Sequence, residues 1–71
     1  MIDAAKLKYY CAIKEITMGD LAKALGIDQA TIYRKLSGKS DFYRHEINSV
    51  KEILKLSAKE MNEIFFNPEL E

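Results

Sequence analysis

The 71-residue sequence predicts an all-α fold, a compact bundle of about five short helices. Three observations carry this reading. Apolar residues recur at helical spacing, and no stretch alternates cleanly as a half-buried strand does. Polar residues suited to cap a helix stand ahead of several periodic segments, at Thr17, Asp28 and Ser57. Gly26 and Gly38 stand where two of those segments stop. The length suits one domain, residues 1–71, and a chain this small buries only about 60% of the surface it exposes unfolded. Nearly every large apolar side chain is therefore a core candidate.

The first helix runs from about Ala4 to Glu15, with Leu7, Tyr10 and Cys11 on one face. Thr17 with Asp20 three residues on is a carboxylate variant of the capping box. It opens a second helix, Met18 to about Leu25, whose inward stripe is Met18, Leu21, Ala22 and Leu25. Gly26 ends it. Asp28 caps a third helix, Gln29 to about Ser37, which Gly38 ends. Lys39 to Phe42 form a loop in which Asp41 is placed to cap a fourth helix, about Tyr43 to Lys55, with Ile47, Val50 and Leu54 inward. Ser57 and Glu60 make a capping box for a fifth, about Ala58 to Phe66, with Met61, Ile64 and Phe65 inward, and Asn67-Pro68 stops it.

Composition narrows the function classes. The longest apolar runs are far shorter than the roughly 18 to 20 residues of a membrane span, and no basic-then-apolar leader opens the chain. One cysteine and one histidine make neither an internal disulfide nor a four-ligand zinc site. A cytoplasmic protein without a cofactor is expected. Cys11 reads as a small buried hydrophobe, His45 as an exposed helix residue, Tyr9 and Tyr10 as packing residues. The glutamates of the fourth and fifth helices read as solvated faces, Glu52 with Lys55 for example, and no catalytic constellation emerges. Net charge is zero, but its distribution is uneven: residues 1–44 hold eight basic and five acidic side chains, residues 45–71 three lysines and six glutamates. A basic face and an acidic end follow.

Only Gly26, Ile27 and Asp28 separate the second and third helices. So short a link forces a steep crossing, the geometry of a helix-turn-helix over about residues 17–38. Ala22 is small where the helices must approach, Ile27 plugs between them, and Ile32 anchors the third helix. At about 100° per residue, Ala30, Arg34 and Ser37 then point away from Ile32, at about 140° to 200°. Thr31 and Tyr33 flank them, and Gln29 leads. Gln pairs with adenine N6/N7, Arg with guanine O6/N7, and Ala or Thr methyls touch thymine methyl, so Gln29, Ala30, Thr31, Tyr33 and Arg34 are candidate base readers in a major groove. Ser37, Lys39, Ser40, Tyr43 and Arg44 are candidates for the phosphate backbone. Lys35 lies nearer the core and is expected to snorkel.

The stretch TMGDLAKALGIDQATIYRKLSGKS resembles the phage repressor and Cro type of helix-turn-helix, the large Xre-like group of transcriptional regulators. The matching positions are Ala22, Gly26, Ile27, Gln29, Ile32, Leu36, Gly38 and Lys39. The resemblance implies a lambda-repressor-like DNA-binding domain, base reading at Gln29, Ala30, Thr31 and Arg34, and phosphate contact at Gly38 and Lys39. Met18 departs from the family's frequent Gln at the head of the second helix, and Asp28 from its frequent Ser or Thr cap. Both departures lower the expected affinity.

Phe65, Phe66 and Leu70 are candidates for a dimer seam, Phe66 above all, because adjacent helical residues point about 100° apart and Phe65 fits the inward stripe. A weak homodimer would set two third helices about 34 Å apart, in successive major grooves of a palindromic operator. The rival expectation is a protein-interaction module, antirepressor-like, on the same bundle.

Overall fold

Five helices follow one another: α1 (Ala4–Ile13), α2 (Met18–Leu25), α3 (Gln29–Leu36), α4 (Arg44–Leu54) and α5 (Ala58–Phe65). The architecture comes from a computed structural model, which describes residues 2–66. The stop at Asn67-Pro68 and the candidate Leu70 lie outside the described residues.

The helix starts are built as the cap residues require. Thr17 Oγ1 accepts from the Asp20 N–H at 3.0 Å, and Asp20 Oδ2 accepts from the Thr17 N–H at 3.1 Å. The Ser57–Glu60 box closes in the same way, at 3.1 and 2.7 Å. Asp28 Oδ1 accepts from the Thr31 N–H at 2.7 Å. Each such cap satisfies donors that the first helical turn leaves unpaired. Asp3, which the periodicity did not single out, caps α1 through the Lys6 N–H at 3.0 Å, and its own N–H donates to the Ile64 carbonyl at 2.7 Å. The chain's start is thereby tied to α5.

The helix ends bring a correction. Gly26 and Gly38 take left-handed backbone, φ +73° and +86°, and the next N–H reaches back to Ala22 and Arg34 carbonyls at 3.0 Å each. The same six-to-one closure ends α1 and α4 without glycine. Glu15 has φ +59° with the Ile16 N–H on the Cys11 carbonyl at 2.9 Å. Lys55 has φ +53° with the Leu56 N–H on the Lys51 carbonyl at 3.1 Å. Hence α1 stops at Ile13, short of the expected Glu15, and α4 at Leu54. The expected Glu52–Lys55 ion pair is absent among the described residues, because Lys55 has already left the helix.

Leu7, Cys11, Leu21, Ile32, Val50, Leu54 and Ile64 form the centre, each at most 1% exposed. Burial pushes the Cys11 thiol up, away from the thiolate a nucleophile needs. Tyr10 is half-buried, but Tyr9 and Ile13 are exposed, so Tyr9 does not pack into the core. Its ring meets Tyr10 edge-on at 5.5 Å. α2 packs on α3 and α4, and α1 on α5. No helix among the described residues is long and apolar enough to cross a membrane.

Candidate nucleic-acid interface

The three-residue turn sets α3 across α2 with Ala22 buried between them at 2% exposure. The first turns of the two helices lie side by side: a methyl group on Gly19 would stand 3.5 Å from Gln29 Oε1. Ile32 and Leu36 hold α3 inward. Gln29, Ala30, Tyr33 and Arg34 are exposed, and Thr31 is half-buried beside them. Arg34 is not adrift, since its Nη2 donates to Thr31 Oγ1 at 3.0 Å. The guanidinium thus lies along the outer face towards the leading end of the helix. Ser37, Lys39, Tyr43 and Arg44 are exposed and Ser40 is half-buried, in the loop and first turn that follow. All the sequence-derived candidates of both kinds therefore lie on α3 or on the chain immediately after it.

Lys35 gives the largest departure from the sequence reading. It does not snorkel to solvent: it is 4% exposed, and its Nζ lies 2.9 Å from Oε1 of Glu46, itself 2% exposed. The same Nζ donates to the Asp41 backbone carbonyl at 2.8 Å and stands 4.4 Å from the centroid of the Tyr43 ring and 5.8 Å from that of Phe42. Glu46 is no solvated helix residue either. Its Oε1 also accepts from the Tyr43 N–H at 2.8 Å, which makes it the N3 carboxylate that closes the start of α4. Asp41 is therefore not the cap expected there; its main-chain oxygen serves Lys35. Burial pushes the Glu46 carboxyl up, but the Tyr43 N–H and Lys35 outweigh it and hold the group below the usual range. One buried ion pair thus fixes the segment carrying Lys39, Ser40, Tyr43 and Arg44 against the inner side of α3. Sequence inspection missed it, although a lysine on the core flank of one helix and a glutamate at N3 of the next was the available signal.

The pairing changes the charge map. Lys35 with Glu46 and Lys6 with Glu63, at 3.3 Å, are the two ion pairs among the described residues. They leave six basic side chains in residues 1–44 without an ion-pair partner among the described residues, against five acids. Two of those acids, Asp20 and Asp28, stand at the leading ends of α2 and α3, and hydrogen bonds from Thr17 and Thr31 hold their carboxyls below the usual range. Tyr43 stacks on His45, ring centroids 5.9 Å apart.

This arrangement of five helices around a tight α2–α3 turn agrees with the family comparison. The family model for the Cro/C1-type HTH DNA-binding domain matches residues 6–66. The chain belongs to that family. No curated protein and no solved structure matches it. The Cro/C1-type match begins within α1 and spans α2 to α5, and so covers the loop and α4 start that Lys35 and Glu46 fix in place.

The C-terminal candidates separate. Phe65 is 8% exposed and meets Phe42 edge-on at 5.4 Å, so it is a core residue and offers little surface to a partner. Phe66 is 60% exposed. It borders an open groove of about 630 Å³ between α4 and α5, floored by Ile47 and Met61 and rimmed by Arg44, Asn48 and Lys51.

Proposed function

We propose that this Cro/C1-type domain is a sequence-specific transcriptional regulator of the repressor or Cro kind, reading double-stranded DNA with α3. The observation that carries the proposal is the outward face of α3. Gln29, Ala30, Tyr33 and Arg34 stand exposed around a small residue, and Arg34 is already held in line by Thr31. Such a face approaches base edges closely and still donates hydrogen bonds. Lys39, Ser40, Tyr43 and Arg44 are the proposed phosphate contacts.

Phe66 supports a weak two-fold homodimer, assembled on a palindromic site. An exposed phenylalanine beside a groove is unfavourable on a lone domain and natural where a patch meets its own copy. Sedimentation of wild type and Phe66→Ser, with and without operator, tests this part. A wild type that stays monomeric and fills a single half-site as well as Phe66→Ser does would refute the dimer and leave the DNA reading standing.

A second reading, a protein-interaction module, is favoured by zero net charge and by the carboxylates of Asp20 and Asp28 at the leading helix ends. Salt separates the two. Binding through phosphates weakens with a slope of about −0.9 in log K against log salt for each contact. Selection of bound fragments from random duplex DNA, followed by that titration, is the deciding experiment; a flat response or no selected sequence refutes the DNA reading.

A further inference from the structure

Asp28 is used only in part as a helix cap. Its Oδ1 accepts from the Thr31 N–H at 2.7 Å, and the Thr31 hydroxyl also bears on the carboxylate; an ionised carboxylate has about four acceptor sites, so capacity remains. The residue is exposed at the leading tip of α3, followed by exposed Gln29 and by Ala30, whose methyl leaves room for close approach. We propose that Asp28 is a specificity-determining residue: the unused acceptor capacity of its carboxylate selects duplexes that offer an amino group beneath the tip of α3 and disfavours all others. The inference rests on the reading of α3 as the DNA-facing helix.

The chemistry is one-sided. A carboxylate only accepts hydrogen bonds when ionised, and the hydrogen bonds from Thr31, with the Arg34 charge adding, favour the ionised form. The floor of the major groove offers amino donors only at cytosine N4 and adenine N6; guanine O6, thymine O4 and the purine N7 atoms accept. An amino group under the carboxylate is therefore paired, whereas an acceptor there leaves a desolvated anion facing like partial charge. Phosphates on either side add repulsion wherever the base contact is missing. Arg34 bears on the same point. Thr31 links it to the Asp28 cap, so the cation and the anion lie on one strip of surface and read bases of opposite character.

Asn caps a helix about as well as Asp, so Asp28→Asn removes the charge and keeps the cap. Fragments are selected from random duplex DNA with wild type and with Asp28→Asn, and affinities are then measured for the wild-type site and for an unrelated duplex. Wild type is expected to fix cytosine or adenine at one position of its half-site. Asp28→Asn is expected to relax that position alone and to bind the unrelated duplex about 3- to 10-fold more tightly, the size of one unit charge near a phosphate at intermediate dielectric. Asp28→Ser, a second uncharged cap, is expected to gain the same non-specific affinity, and unchanged melting temperatures verify the folds. Identical selected sequences from wild type and Asp28→Asn, or no gain on unrelated DNA, would overturn the inference and leave Asp28 a cap alone. A wild type that selects no sequence would overturn the DNA reading itself.

Discussion

The two flanks of α3 use the same kind of charge in opposite ways. Arg34, on the outer flank, is exposed and holds a hydroxyl of its own helix; Lys35, one residue on, is 4% exposed and holds together three pieces of backbone and side chain that follow. About 100° of helix rotation makes the difference. The outer cation is free to meet a ligand and contributes little to the fold, because an exposed charge gains little from a neighbour in high dielectric. The inner cation has no route to a ligand, and the fold depends on its partner, because an unpaired buried charge is costly. Identical formal charge thus divides into an exposed side chain open to a partner and a buried one that supports the fold, according to helical register alone.

The largest expected effect comes from breaking the inner flank. Glu46→Ala leaves the Lys35 ammonium buried with the Asp41 carbonyl as its remaining hydrogen-bond acceptor among the described residues, and Lys35→Ala leaves the buried Glu46 carboxylate without its counter-charge, held by the Tyr43 N–H. Each is expected to cost about 3 to 5 kcal/mol, comparable with the whole stability of a domain this small. Thermal and urea unfolding followed by circular dichroism should show both variants largely unfolded at room temperature. The double variant Lys35→Met/Glu46→Leu is expected to recover most of the loss, since replacing both members of a buried pair with apolar residues is often neutral. Comparing it with wild type also isolates Glu46 in pH. The folded carboxyl is held below its usual range, so its contribution is complete above the unfolded value of about 4.3 and disappears as pH falls through the folded one. The difference in melting temperature between wild type and double variant should be flat at neutral pH and move against wild type only in acid. The lowered carboxyls of Asp20, Asp28 and Glu60 are common to both proteins and cancel.

The outer flank should respond in binding and not in folding. Arg34→Ala is expected to leave the melting temperature nearly unchanged, to cost about 1 to 3 kcal/mol on a selected site and to relax one base position. Lys39→Ala should weaken all sequences alike and lower the salt slope by about one. Uniform weakening by Arg34→Ala would move Arg34 from the base readers to the phosphate contacts and would blur the contrast between the residues of α3 and the loop after it.

How much of this was legible in the sequence also follows the two flanks. The outer face of α3 needed only the helical period and the anchor Ile32, so the exposed positions could be read directly. The starts of α2, α3 and α5 were legible because Thr17, Asp28 and Ser57 carry the oxygen that a first turn lacks. The start of α4 was not, because Tyr43 carries no cap and the closing carboxylate is supplied from within the helix by Glu46. The Lys35–Glu46 pair joins residues 11 apart across a loop, and no local period encodes such a contact. Phe65 and Phe66 divided between core and surface as their 100° offset requires.

The smallest expected effect concerns helix ends, where two glycines and two other residues make the same turn. Gly26 and Gly38 enter the left-handed region without a Cβ to obstruct it; Glu15 and Lys55 enter it at φ +59° and +53° with side chains attached. For an L-residue that conformation costs about 1 to 2 kcal/mol, while glycine gives back about 0.5 to 1 kcal/mol through the greater freedom of its unfolded chain. Glu15→Gly and Lys55→Gly are each expected to stabilise the domain by about 0.5 to 1 kcal/mol, or a few degrees in melting temperature at this size. The Lys14 Nζ that donates to the Lys55 carbonyl at 3.3 Å keeps its acceptor in the variant. Gly26→Ala supplies the opposite sign. Nothing lies within 4 Å of the added methyl, so any loss there measures backbone strain and not a clash. Stabilisation by Glu15→Gly together with destabilisation by Gly26→Ala would show that one turn geometry closes four helices at two different energetic levels. A loss in both would mean that Glu15 holds its turn through contacts of its side chain, and the equivalence of the four ends would fail.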